Sequence, residues 1–391
     1  MRRVLYGLIF LSILSGVVVG GHLYLAQRLV FDLDLPEPWR GLALFGIAAL
    51  AASLILEPIA QRALPRQLGR LVAWPASLWL GFWFLLLLGM WASELVLWLA
   101  GTPAQAAVSG VDPATHAARA RALAVVGVVA LVGAAALRAG LRLPDVKRVA
   151  VELERWPREL DGFRIVQLSD IHIGPILGRD FARGLVRRVA ALEPDLIAIT
   201  GDLVDGDVRH LRDEVAPFAD LAAPHGVWFV TGNHDYYSGA DRWVERAREL
   251  GMQVLRNQRA SIGDGSASFD LAGVEDYHAH LVQPDWREDP DAALAGRDPA
   301  RALVLLAHDP STFKRASQLG VDLQLSGHTH GGQIWPFRYL VRLAVPFVAG
   351  LYERNGAKLY VSRGSGFWGP PMRLFSPAEI TELMLSRSPS S

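Results

Sequence analysis

The 391-residue chain contains no cysteine. Disulfides and thiolate metal sites are therefore excluded, and any metal must be held by His, Asp, Glu or Asn side chains. Neither sign of charge is in excess, since 39 Lys and Arg balance 39 Asp and Glu. The bulk positive field that nucleic-acid binders bring to phosphate backbones is missing, and no nucleic-acid partner is expected. What the chain has in excess is apolar residues, 51% of the total, above the usual share for a soluble protein and enough to place part of it in a membrane.

Residues 4–26 carry no Asp, Glu, Lys or Arg and follow the basic start Arg2-Arg3. A basic start before an apolar core is also the pattern of a signal peptide, but no small-residue cleavage site leading into a soluble domain follows, so the segment is expected to stay as a span. Three more apolar segments, residues 41–56, 71–100 and 122–139, are each near the roughly 20 residues that cross a bilayer. They lack the polar face that a soluble helix needs. The sequence therefore predicts about four transmembrane helices within residues 1–143, the second short and ending at Glu57-Pro58, the third long with Glu94 inside it. Glu94 is either a functional intramembrane carboxylate or one lying near the interface, close to Gly101-Thr102-Pro103. Lys and Arg in the short loops set the orientation. Arg2 and Arg3 precede the first span, Arg62, Arg66 and Arg70 separate the second and third, and Arg138, Arg142, Lys147 and Arg148 follow the fourth. Asp32, Asp34 and Glu37 mark the loop between the first two. Both chain ends are thus expected on the cytoplasmic side of a multi-pass protein of a bacterial-type inner membrane.

From residue 144 short apolar runs alternate with amphipathic ones, the pattern of an α/β domain. Strands are predicted at 163–168, 196–200, 227–231, 302–307 and 321–325, with shorter ones near 253–255 and 268–273, and helices near 181–192, 209–222, 242–250 and 311–319. Each of the five strong strands runs into polar residues at its carboxyl end. These are Ser169-Asp170-Ile171-His172, Gly201-Asp202-Leu203-Val204-Asp205, Gly232-Asn233-His234-Asp235, His308, and Ser326-Gly327-His328-Thr329-His330. Ligands bind at that end of open α/β sheets, so five separate pieces of sequence converge on one site. The Ser- and Pro-rich end, residues 386–391, is expected to be a disordered tail.

Taken singly these motifs are weak, but Asp and His recurring at five strand ends, with glycines that let backbones approach, describe a metal site. Mn, Fe, Zn and Mg all accept carboxylate, imidazole or amide oxygen, and two such ions about 3.5–4 Å apart hold a phosphate and generate hydroxide between them. One carboxylate must then bridge the pair. Asp202, on the second strand between the outer ones, is the candidate.

In chain order, Asp170-x-His172, Gly201-Asp202-x-x-Asp205, Gly232-Asn233-His234-Asp235, His308 and Gly327-His328-x-His330 resemble the complete motif series of the calcineurin-like metallophosphoesterases. Gly331-Gly332-Gln333 and residues 364–371 resemble the membrane-associated bacterial branch of that family. The resemblance covers roughly residues 145–385 and implies an α/β fold, a double β-sandwich flanked by helices over 144–385, following the N-terminal transmembrane helices. It implies two divalent metal ions, one held by Asp170, His172 and His330, the other by Asn233, His308 and His328, with Asp202 shared, and attack by metal-bound hydroxide. His234 is implied to protonate the leaving-group oxygen, oriented by Asp235. A neighbouring carboxylate keeps an imidazole charged, which suits that role. Asp205 is left between a turn-stabilising and a catalytic role.

Between Trp335 and Tyr352 the chain is rich in large apolar residues (Trp335, Phe337, Tyr339, Leu340, Leu343, Val345, Phe347, Leu351) with Arg338 and Arg342 interleaved. This stretch either packs on the domain's own core or seeks the membrane surface and admits a lipid phosphate. Arg363 and Arg373 either contact phosphate or face solvent. The expected function is a membrane-anchored phosphohydrolase acting on phosphoester or pyrophosphate bonds, with a lipid-linked substrate favoured by the anchor. The alternative is a non-catalytic metal-binding membrane sensor or scaffold of the same fold, but a degenerate member would be expected to lose ligands or the acid, and none is missing. A transporter is disfavoured, because spans with almost no charge offer little to coordinate a solute.

Overall fold

The computed structural model describes residues 2–101, 113–265 and 267–388. The chain forms two compact units, residues 1–137 with 369–371, and residues 138–368 with 372–391.

The first unit is helical: α1 (Arg2–Ala26), α2 (Trp39–Ala63), α3 (Arg66–Leu99) and the greater part of α4 (Pro113–Leu141). Among the described residues, three stretches are long and apolar enough to cross a membrane, Trp39–Gln61, Gln67–Leu99 and His116–Leu141. They correspond to the second, third and fourth expected spans. The first, residues 4–26, falls on α1, but the side chains of residues 1–11, 13 and 14 lie outside the described residues. The expected break at Glu57-Pro58 is absent, since α2 continues through Pro58 to Ala63. Glu94 is not a lone carboxylate. Tyr24 donates its hydroxyl to Glu94 at 2.7 Å, and Arg28 Nε lies 2.7 Å from the same oxygen, so a charge that would be costly in hydrocarbon is paired.

The second unit opens with β1 (Asp145–Leu153), β2 (Phe163–Leu168), α5 (Arg179–Ala190), β3 (Leu196–Thr200), α6 (Val208–Leu211), β4 (Val227–Val230), α7 (Asn233–Tyr237), α8 (Ala240–Glu249) and β5 (Gln253–Val254). It continues with β6 (Gln258–Asp264), β7 (Ala267–Gly273), α9 (Ala279–Val282), α10 (Pro290–Leu294), β8 (Leu303–Leu306), α11 (Phe313–Ala316) and β9 (Leu323–Ser326). Helix α12 (Arg338–Ala344), β10 (Gly350–Arg354), β11 (Ala357–Val361) and β12 (Glu379–Arg387) complete it. Two six-stranded sheets result, in the orders β1-β12-β2-β3-β4-β5 and β10-β11-β9-β8-β7-β6.

Alternation along the strands explains the layering. On β3, Leu196 and Ala198 face the second sheet, packing in one core with Phe269, Leu271, Val304 and Leu306. Ile197 and Ile199 face the other way, into a core with Leu185 and Val189 of α5 and Trp243 of α8. Both faces of β3 are buried, which is why it reads as a continuous apolar run. Each fully buried Leu or Ile contributes about 1.5–3 kcal/mol. The outer face of the second sheet is covered by Leu294 and Ala316.

The five motif-bearing strands do not lie in one open sheet. β2, β3 and β4 run parallel in the first sheet, and β8 and β9 run parallel in the second. Their carboxyl ends meet along one edge of the sandwich. Gln167 on β2, fully buried, joins the sheets there by donating to Thr200 Oγ1 at 2.8 Å and to Ser326 O at 2.9 Å. The stretch 386–391, expected to be a disordered tail, is in part a strand: Ser386 and Arg387 pair with Glu152 and Leu153. Residues 389–391 lie outside the described residues.

Candidate metal centre

The ligand-type residues occupy strained backbone. Asp170, His172, Asp202, His328 and His330 all have positive φ, between 50° and 71°. Asp and His tolerate the left-handed region better than most residues, yet each instance costs on the order of 1–3 kcal/mol and tends to cluster at functional sites. Here the sharp turns at the strand ends swing consecutive side chains inward. Gly201, at φ 88°, precedes Asp202; a Cβ there would stand 2.6 Å from His308 Nδ1 and 2.7 Å from Gly232 N, so only glycine lets the three strand ends close up.

Two groups of donors face each other across Asp202. Ligand atoms of Asp170, His172 and His330 lie within 4.8 Å of one another, as do those of Asp202, His308 and His328. His172 Nε2 is 3.0 Å from His330 Nε2, and His330 Nε2 is 3.5 Å from Asp170 Oδ1. On the other side His328 Nδ1 is 2.9 Å from Asn233 Oδ1. Asp202 Oδ2 stands 3.1 Å from His308 Nε2 and 3.8 Å from His172 Nε2, while its Oδ1 accepts the His234 backbone amide at 2.8 Å. All seven expected ligands are thus brought together.

The donor set fits divalent cations. His308 donates through Nδ1 to Thr200 O at 2.7 Å, which turns Nε2 toward Asp202. That Nε2 and Asp170 Oδ2 are buried with no hydrogen-bond partner among the described residues, so each aims at a point that a proton or cation must fill. The surrounding carboxylates are crowded. Burial, then the like charge of Asp202, pushes Asp235 up to about 7. Burial, opposed by His308 and reinforced by Asp309, pushes Asp276 up to about 8.

The expected pairing of Asp235 with His234 is corrected by the geometry. Asp235 is fully buried and accepts four backbone amides, from Asp202 at 2.9 Å, Leu203 at 3.0 Å, Val204 at 3.3 Å and Gly232 at 2.8 Å. Its role is to tie the β3 and β4 loops together. Asp205 orients His234 instead: its Oδ1 receives His234 Nδ1 at 2.7 Å and His172 Nδ1 at 3.0 Å. Although Asp205 follows Asp202 by three residues on a loop, the register of that loop with Ile173, fixed only by tertiary contact, decides which carboxylate reaches the imidazole. Burial opposes charge on His234, but Asp205 and Asp202 prevail and raise its pKa to about 9. Asp205→Asn should therefore lower turnover of a phosphoester about 10–100-fold, as loss of an outer hydrogen-bond partner does, with the melting temperature retained. Equal losses of stability and activity in that variant would contradict the orienting role.

Arg373 does not face solvent. It is buried and donates to His330 O at 2.9 Å and Ser376 O at 3.3 Å, with Nη2 3.1 Å from His330 Nδ1. Arg363 is paired with Glu379 at 2.8 Å. Two residues beyond the sequence reading border the site. His278 Nδ1 lies 3.4 Å from Asp309 Oδ2, which is 3.7 Å from His328 Nε2. The signal for His278 was the carboxyl end of β7, a parallel neighbour of β8, which opens on the same edge through Glu275-Asp276-Tyr277-His278, and the signal for Asp309 was its place directly after His308 at the end of β8.

A family model described as calcineurin-like phosphoesterase matches residues 163–332. The chain is 40% identical over 309 residues to a transmembrane protein with metallophosphoesterase domain of Bos taurus, covering 76% of this chain and 68% of that one. It is 38% identical over 248 residues to an uncharacterized metallophosphoesterase of Helicobacter pylori strain J99, covering 63% of this chain and 65% of that one, just under two thirds of its length. To an uncharacterized metallophosphoesterase of Aquifex aeolicus it is 35% identical over 238 residues, covering 60% of this chain and 89% of that one. With helices long and apolar enough to cross a membrane ahead in sequence of a two-sheet domain that gathers Asp, Asn and His at one edge, the chain is a membrane protein that belongs to the calcineurin-like metallophosphoesterase family.

Proposed function

We propose that the chain is a membrane-anchored phosphohydrolase that uses two divalent cations to cleave phosphoester or pyrophosphate bonds. The observation that carries this reading is Asp202 Oδ2, a single oxygen 3.1 Å from His308 Nε2 and 3.8 Å from His172 Nε2, common to both donor groups. Asp170, His172 and His330 are assigned to one cation, Asn233, His308 and His328 to the other, and Asp202 to both. Bound cations of this kind supply charge stabilisation at phosphoryl oxygens and lower the pKa of water toward neutrality. Mn, Fe, Zn and Mg all suit such N/O donors, and availability selects among them.

The chain's own residues supply the proton and the positioning. His234, held through Nδ1 by Asp205, carries the proton for the departing oxygen. Its ring is flanked edge-on by Tyr237 at 5.5 Å and Trp368 at 5.7 Å, which fixes the imidazole plane. His308, locked by Thr200 O, and His172, locked by Asp205, present their Nε2 atoms without rotameric search. A pure metal binder would need the ligands but has no use for the Asp205–His234 contact.

The division into a transmembrane domain over 1–143 and a phosphoesterase domain over 144–385 belongs to the same proposal. The catalytic domain is assigned to the cytoplasmic side of a bacterial-type inner membrane, on the arginines of the short loops. The anchor and the apolar stretch 335–352 favour a lipid-linked phosphoester or pyrophosphate as substrate. Purified full-length protein should hydrolyse bis-p-nitrophenyl phosphate with Mn, lose that activity to EDTA and regain it on Mn addition. In a screen of lipid and nucleotide phosphoesters, a detergent-dispersed lipid should be preferred, and Trp335→Ser with Phe337→Ser should erase the preference. Full metal occupancy without turnover of any phosphoester would leave the protein a non-catalytic binder.

A further inference from the structure

The first part of the stretch, residues 335–344, has no buried residue, whereas farther along Val345 and Val348 are buried and Phe347 and Tyr352 pack beside Phe313 and Leu359. None of the seven residues of α12 is buried. Trp335, Phe337, Tyr339, Leu340, Leu343 and Phe375 are exposed, Leu343 at 85% and Phe375 at 80%. A seven-residue helix with no buried face has too few turns to be stable in water on its own, and an apolar surface of this kind marks a site of contact.

The surface is built, not frayed. Phe375 holds its backbone at φ 55°, a conformation disfavoured for a bulky side chain, and so directs its ring outward, edge-on to Trp335 at 6.3 Å. The two segments are pinned together by the pairing of Ile334 with Leu374, with Trp335 N donating to Leu374 O at 3.1 Å and Leu374 N to Gln333 O at 3.0 Å. Helix α12 begins against the loop that carries His330. Gly332 has φ 81°, and a Cβ there would overlap the backbone of Arg338, so only glycine lets α12 start this close to that loop.

We infer that α12 and the Trp335–Phe375 pair form a surface that inserts into the lipid bilayer to which the chain is anchored, setting the mouth of the metal centre at headgroup depth. The occupant follows from charge and tether. Residues 335–352 contain Arg338 and Arg342 and no acidic residue, and Arg338 lies over the Tyr339 ring at 6.0 Å. Arginine interleaved with Trp, Tyr, Phe and Leu is the composition of an interfacial helix, its cations meeting anionic headgroups while the apolar side chains enter the acyl boundary. Residues 142–144 alone join α4 to β1, a tether of at most about 11 Å, so a bilayer crossed by α4 is always within reach of the domain. A protein partner would have to compete with that local concentration. For its consequence, that the substrate is a phosphate ester or pyrophosphate presented by a membrane lipid, the inference rests on the hydrolase reading.

Because the chain has no cysteine, single nitroxide labels can report depth in the full-length protein. Leu343→Cys and Phe375→Cys, reconstituted in phosphatidylethanolamine–phosphatidylglycerol vesicles, should be relaxed more by oxygen than by a water-soluble nickel chelate. Asp180→Cys on α5, where the aspartate side chain is 96% exposed, should show the reverse. Nickel access at 343 and 375 equal to that at 180, or shielding there from both reagents as a protein cover would give, overturns the inference. Leu343→Asp combined with Phe375→Asp should lower turnover of a vesicle-borne lipid phosphoester at least tenfold and leave turnover of bis-p-nitrophenyl phosphate unchanged. An unmodified protein that turns over neither substrate refutes the hydrolase reading, while the label depths still decide the docking surface.

Discussion

Asp202→Asn should reduce phosphoester hydrolysis by at least about 10²–10³-fold, the scale on which one preorganised electrostatic group acts, and should lower the metal content of the purified protein. Asp202 is the residue on which both donor groups depend, because the same Oδ2 lies near His308 and near His172. An amide in its place offers one oxygen and no charge, so it would be a poor bridge for the two cations of the proposed centre. The fold should survive. An amide oxygen can still accept the His234 amide now held by Oδ1, and removing the carboxylate relieves the like charge that, after burial, pushes Asp235 up to about 7. The metal-free variant should therefore melt no lower than the metal-free parent. Elemental analysis, steady-state kinetics and calorimetry on the same preparation test the assignment, and undiminished metal content with turnover within tenfold of the parent would remove Asp202 from the bridging position.

The second large effect is on stability. Asp235→Ala should destabilise the phosphoesterase domain by about 3–5 kcal/mol, the cost of removing one partner from a buried charged network, and lower its melting temperature by roughly 10 °C. Four backbone amides, of Asp202, Leu203, Val204 and Gly232, lose their acceptor together, and each unsatisfied buried donor costs about 1–3 kcal/mol before relaxation. Part of this is offset because a desolvated carboxylate also disappears. An effect of this size is exceptional for one side chain, and it separates the two aspartates: loss of Asp235 should act through the fold, loss of Asp205 through turnover. An Asp235→Ala protein with a parental melting temperature and a large fall in kcat would restore Asp235 as the orienting group.

Much of the second unit was legible because its central strands are buried on both faces. Phe163–Leu168 and Leu196–Thr200 read directly as apolar runs and occur with those bounds. The edge and return strands were not legible. β12 mixes Glu379, Thr381 and Glu382 with Ile380 and Leu383-Met384-Leu385 without a strict alternation, and its place between β1 and β2 depends on partners more than 200 residues away in the chain. The apolar stretch after Trp335 left core and surface open, since composition is the same for both, and burial divides it: residues 335–344 are not buried, while Val345, Phe347, Val348 and Tyr352 join the core.

The sequence by itself determined which residue types were available and where the chain must turn. Without cysteine, any metal centre had to be built from His, Asp, Glu or Asn; the candidate membrane spans followed from uninterrupted hydropathy; polar residues at the ends of buried strands marked the site, and the resemblance to a known family singled out the seven candidate ligands. Only the tertiary structure decided that these ends come from two sheets joined by Gln167, and that Asp205 reaches His234 while Asp235 is consumed by backbone amides. The reason is physical: strand ends are set by local burial periodicity, which is written in consecutive residues, whereas the partner of a carboxylate is set by loop register and inter-sheet packing, which no local pattern encodes.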